Sequence, residues 1–161
     1  MAKSNDEQNS MYFCYLNLYT NILMARIMAI DYGQKRTGIA VTDPLQLFAT
    51  GLETVPSHTA VEYITRYLQT ENVECIVVGE PKDMQNNASD ASRFIEPFVN
   101  RLRKVFPEMN IQRFDERFTS KMAFQSMIDA GLSRKQRQNK ALVDTISATI
   151  ILQSFLENKN R

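Results

Sequence analysis

Histidine and cysteine are scarce in this chain. The one histidine, His58, has no partner at ligand spacing, so it reads as a surface side chain. The two cysteines, Cys14 and Cys75, fit neither a thiolate metal site nor a disulfide framework. Cys75 lies in the apolar run Glu74-Cys75-Ile76-Val77-Val78 and reads as a packed small hydrophobe. No apolar run reaches the roughly 20 residues that cross a bilayer, and residues 1–23 lack the basic start and small-residue cleavage site of a signal peptide. A charge of one sign is missing too. Nineteen Lys and Arg stand against eighteen Asp and Glu, a formal net charge of +1. A nucleic-acid partner would therefore be met by local patches rather than a global field. Together these absences describe a chain of a reducing, cytoplasmic compartment with no membrane partner.

With 161 residues, 43% of them apolar, there is room for one domain with a proper core. Residues 1–23 read as a leader outside that domain, which spans 24–161. The organising stretch is residues 26–43. Ile27 and Ala29 alternate with Met28 and Ile30, so both faces of a strand are apolar, as burial on both sides requires. The run ends in Asp31, followed by Gly33 and a second strand, Gly38 to Thr42. A carboxylate at the mouth of a buried strand is costly unless a cation or hydrogen bonds compensate it. It reads either as a turn cap or as a metal-binding group.

Further along, Gln46 to Val55 reads as a third strand after the Asp43-Pro44 turn. Ser57 is placed to cap a helix to about Asn72 whose inner face carries Val61, Ile64, Tyr67 and Leu68. Val73 to Gly79 is a fourth strand, apolar apart from Glu74. A helix over about Asp90 to Phe106 is expected to bury Phe94, Phe98, Leu102 and Val105. Met109 to Asp115 is a fifth strand, a helix from Ser120 to Asp129 stops at Gly131, and Ala141 to Leu156 forms the last helix. Three antiparallel strands followed by alternating helices and strands predict one α/β domain, a five-stranded mixed sheet covered on both faces.

Three acidic positions resist a surface explanation. Asp31 ends the first strand, Asp115 and Glu116 end the fifth, and Asp144 is the sole charge in the sixteen residues of the last helix. If strands one and five are neighbours and the last helix crosses them, these carboxylates converge on one pocket. Hard oxygen ligands of that kind suit Mg²⁺ or Mn²⁺, and a pair of such ions hydrolyses phosphodiesters without a nucleophilic side chain. Asp144 reads alternatively as a cap of its own helix. Cations surround the acids. Lys35 and Arg36 follow Asp31, Arg117 follows Asp115, and Arg134, Lys135, Arg137 and Lys140 precede the last helix. Such groups position phosphates without reading sequence.

At these residues the sequence resembles the YqgF family, also called RuvX-type, of Holliday-junction-resolvase-like or pre-16S rRNA nucleases. The resemblance rests on residues 30–43, 77–81, 115–123 and 140–148, and covers about Met24 to Leu156. It implies a ribonuclease H-like fold, an endonuclease acting on pre-16S rRNA or branched DNA, and Mg²⁺ or Mn²⁺ as cofactor. The family's catalytic acids map onto Asp31, one or both of Asp115 and Glu116, and Asp144. Arg36, Arg117 and Thr119 match its other characteristic polar positions. One departure is Gly79-Glu80-Pro81, where members usually have Gly-Leu-Pro. Glu80 is thus either a further metal ligand or an exposed loop residue. Two other readings are an actin-like ATPase, for which the chain has no second lobe, and a non-catalytic RNA- or ribosome-binding module.

Overall fold

A computed structural model describes residues 25–80, 92–115 and 119–159. Its strands are β1 (Arg26–Tyr32), β2 (Arg36–Thr42), β3 (Ala49–Pro56), β4 (Val73–Glu80) and β5 (Asn110–Asp115). Its helices are α1 (Ala60–Thr70), entered through a 3₁₀ turn at Ser57–Thr59, α2 (Ser92–Val105), α3 (Thr119–Asp129), α4 (Arg134–Arg137) and α5 (Lys140–Lys159). They form one five-stranded sheet in the order β3-β2-β1-β4-β5. β1, β2 and β3 pair antiparallel, while β1, β4 and β5 run parallel.

Strands one and five are therefore not neighbours. β4 lies between them, with Ile30 opposite Val78 on one side and Glu80 opposite Asp115 on the other. Composition explains the order. Cys75, Ile76, Val77 and Val78 are all buried, as an interior parallel strand requires, whereas β5 exposes Asn110 and Gln112 as an edge strand can.

Strand alternation divides the core in two. Met28, Ile30, Ile76 and Val78 pack with Val61 and Ile64 of α1 and with Ile95, Phe98, Val99 and Leu102 of α2. Ile27, Ala29, Ala40, Cys75 and Val77 pack on the other face with Ala148, Ile151, Leu152 and Leu156 of α5. Tyr32 stacks on Phe98 with ring centroids 4.0 Å apart.

Several local expectations change. The buried stripe of α2 is Ile95, Phe98, Val99 and Leu102, while Phe94 and Val105 are 44% and 45% exposed. Both stripes have helical spacing, and the face that packs on the sheet is the one through Ile95 and Val99, turned slightly round the helix from the one through Phe94 and Val105. β3 begins at Ala49. Before it, the Asp43 carboxylate accepts the backbone N–H groups of Leu45, Leu47 and Phe48 and holds these side chains outward. Ser57 caps no helix; its hydroxyl is used elsewhere, as described below. The fourth strand extends through Glu80, which is thus a strand residue and not a loop one.

Candidate active site

The turn between β1 and β2 is fixed by short polar groups. Gly33 N–H donates to the Arg36 carbonyl at 3.0 Å, and a Cβ on Gly33 would stand 2.8 Å from that oxygen. Thr37 Oγ1 donates to Ser57 Oγ at 3.0 Å, and Ser57 Oγ donates to the Gly33 carbonyl at 2.6 Å. Ser57 N–H adds a bond to the Lys35 carbonyl at 3.1 Å. This buried relay holds the turn that presents Lys35 and Arg36 immediately after Asp31. Lys35 is exposed and Arg36 half-buried.

Two glycines let α5 lie against the sheet. Gly38, opposite Asp31 in register, faces the helix backbone so closely that a Cβ would overlap the Asp144 carbonyl. At Gly51 of β3 a Cβ would sit 2.5 Å from Thr145 Cγ2. Thr54 Oγ1 donates to the Ala141 carbonyl at 2.8 Å and lies 2.7 Å from Thr145 Oγ1. Asn139 Oδ1 accepts from the N–H groups of Ala141 and Leu142, so Asn139 caps α5. Asp144, the fifth residue of α5, lies beyond the first turn and is not that cap.

The seating of α5 brings Asp144 to Asp31. Arg36 Nε donates to Asp144 Oδ2 at 2.7 Å, so Asp144 has a cationic partner. Asp31 has none: among the described residues, no cation and no side-chain hydrogen bond serves its carboxylate. Burial first, and the negative charge of Asp144 second, push Asp31 up to about 6. A half-buried carboxylate repelled by a second one has a positive charge to gain, and two hard oxygen donors of this kind fit Mg²⁺ or Mn²⁺.

Glu80 and Asp115 lie at the ends of β4 and β5. Glu80 shares the parity of Ile76 and Val78, and Asp115 that of Ile111 and Arg113. The two are opposite each other in register, on the sheet face that packs α1 and α2. Arg113 Nη2 lies 3.5 Å from Glu80 Oε1, and its Nη1 pairs with Glu96 of α2. Among the described residues, no three acidic, histidine or cysteine side chains form a metal-binding cluster. Glu116 and Arg117 lie outside the described residues, as does the side chain of Thr119, whose backbone opens α3.

The basic segment is a short helix before α5. Ser133 caps α4 in a reciprocal box with Gln136, and Arg137 Nη1 donates to the Leu132 carbonyl at 2.6 Å. Arg134, Lys135 and Lys140 are exposed, and Arg137 is half-buried. Reading the sequence missed Gly38, Ser57 and Arg113 as contributors. A lone glycine inside a strand does signal close backbone approach, and that clue was present at Gly38. No periodicity marks Ser57 or Arg113.

The chain matches the family described as RuvX: Holliday junction resolvase over residues 25–158. A relative from Phocaeicola vulgatus, provisionally named a pre-16S rRNA nuclease, is 60% identical over 136 residues, 84% of this chain and 98% of its own. A relative of the same name from Flavobacterium johnsoniae is 55% identical, covering 84% of this chain and 99% of its own. Among solved structures, RuvC of T. thermophilus in complex with a Holliday junction substrate superposes with a TM-score of 0.50 at 16% identity, covering 84% of this chain and 96% of that one. This likeness is one of fold, which is ribonuclease H-like. The family match and the identities across nearly the whole length of these relatives show that the chain belongs to the RuvX family.

Proposed function

We propose that the protein is a metal-dependent endonuclease that hydrolyses phosphodiester bonds, with pre-16S rRNA as its substrate and the cytoplasm as its place of work. The observation that carries this reading is the pairing of Asp31 with Asp144 at the exit of β1, with no compensating cation for Asp31 among the described residues. Asp31 and Asp144 would hold Mg²⁺ or Mn²⁺, with a further carboxylate from Asp115 or Glu116. Bound there, the metal supplies Lewis-acid stabilisation of phosphoryl oxygens and lowers the pKa of the attacking water. Arg36 orients Asp144 through its 2.7 Å bond. Lys35, Arg134, Lys135, Arg137 and Lys140, with Arg117 and Thr119, hold substrate phosphates and confer little sequence preference. The nuclease domain spans 24–161, with residues 1–23 a leader outside it.

The names of the relatives favour RNA, and the family's description supports branched DNA as the second reading. Both are tested by presenting labelled pre-16S rRNA 5′ ends and four-way junctions to the protein with Mn²⁺, with chelator, and with metal restored. Cleavage of the RNA that chelator stops and metal restores is expected. Cleavage of the junction alone would move the substrate to DNA. RNA bound without cleavage under every condition would leave a binding module and remove the nuclease.

A further inference from the structure

We propose that Arg113 is a positioning residue for the strand-end acids, and that Glu80 serves as its counter-ion and not as a metal ligand. The inference rests on the nuclease reading above. Arg113 is two residues before Asp115 on the same face of β5. Its guanidinium reaches Glu80 of β4 at 3.5 Å and pairs with Glu96 of α2. One cation thus joins three elements where β4 and β5 end, among Glu80, Glu96 and Asp115. The Arg113 side chain is only 17% exposed and that of Glu80 27%, so the field between these two is weakly screened by water, while Glu96 is 53% exposed.

The fit is incomplete in an informative way. Among the described residues, Arg113 Nε and Nη2 are buried without a hydrogen-bond partner, and the contact to Glu80 is therefore one of charge. A group held for its hydrogen bonds would not leave two donors unmade. A group held for its charge and reach would. Lysine supplies both with fewer buried donors, so Arg113→Lys should preserve the role and Arg113→Met should abolish it.

Three readouts test this. Steady-state cleavage with Mn²⁺ should show kcat lowered about ten- to a hundredfold in Arg113→Met and in Glu80→Gln, the range usual for groups that orient others. KM should change little, the double variant should be no worse than the worse single, and Arg113→Lys should recover most of the loss. Calorimetric Mn²⁺ titration should leave affinity in Glu80→Gln and Arg113→Met within about twofold of wild type, well short of the loss expected on removing a ligand. Amide exchange at residues 113–115 should quicken in Arg113→Met while β1 amides keep their protection. Weaker Mn²⁺ binding in Glu80→Gln with tighter binding in Arg113→Met would overturn the proposal, since Arg113 would then compete with a metal for Glu80. Unchanged kcat or unchanged exchange would overturn it as well. The exchange readout needs no activity, so a wild type that cleaves nothing would defeat the nuclease reading while still deciding the role of Arg113.

Discussion

Asp31 carries its charge at the expense of stability. Its folded-state pKa, about 6, lies above the ordinary 3.8, so its contribution is most favourable below that lower value and is lost as pH rises through about 6. Each pKa unit corresponds to about 1.4 kcal/mol, and with Asp31 half-buried the effect is about 1–3 kcal/mol. Metal-free Asp31→Asn should therefore unfold at higher denaturant concentration than wild type at pH 7, with the gap closing towards pH 4. An equal or lower midpoint at pH 7 would show that the carboxylate is not strained. Mn²⁺ should then stabilise wild type more than Asp31→Asn. Cys75 gives a simpler case. Burial first, then Glu74, pushes its thiol up to about 11. It should resist alkylation by iodoacetamide at pH 8 and react when urea unfolds the chain; rapid reaction in the folded protein would contradict its burial. Its role as a small hydrophobe was legible in the sequence because the residues that follow it, Ile76, Val77 and Val78, are all apolar. The role of Ser57 was not: a serine before a helix looks like a cap, and only the folded turn shows its hydroxyl bonded to Gly33.

Among the elements, α5 decides the site. Its backbone rests on Gly38, and backbone cannot move aside as a flexible side chain can. Gly38→Ala should destabilise the fold by about 1–3 kcal/mol, the usual cost of overpacking. By lifting Asp144 from Asp31 it should also cut kcat by up to about a hundredfold. Thermal unfolding and cleavage rates check the two effects, and a variant with wild-type rate would separate the seating of α5 from catalysis. The sequence showed Asp144 as the sole charge between Ala141 and Leu156, which is why the acid stood out. It did not show where the helix would lie, because a glycine's neighbour across the fold leaves no trace in periodicity. The same limit explains the sheet order. Strand existence follows from alternation and turn residues, but pairing is a tertiary choice, and the clue that β4 is interior lay in its unbroken apolar run beside the polar β5.

For the whole molecule, near-neutral net charge and a local basic segment coexist. A protein with +1 overall gains little from long-range attraction, so phosphate contacts at Arg134, Lys135 and Arg137 should dominate the salt dependence of binding. Replacing all three with Gln should make the log–log salt slope for single-stranded RNA shallower by about 2, since each phosphate contact contributes roughly 0.7. An unchanged slope would take α4 out of the interface. At this scale most was legible: an α/β fold, a five-stranded mixed sheet with helices on both faces, acids at strand ends. What the sequence left open was which acids meet. The fold joins Asp31 to Asp144 and sets Glu80 beside Arg113, on the opposite face.

The measurement closest to the central claim is cleavage of the pre-16S rRNA 5′ end in Mn²⁺ by wild type beside Asp31→Asn and Asp144→Asn, each confirmed folded. The predicted result is cleavage by wild type and its loss in both variants. Equal cleavage by all three proteins would contradict the account, because the paired carboxylates of β1 and α5 would then have no part in the chemistry.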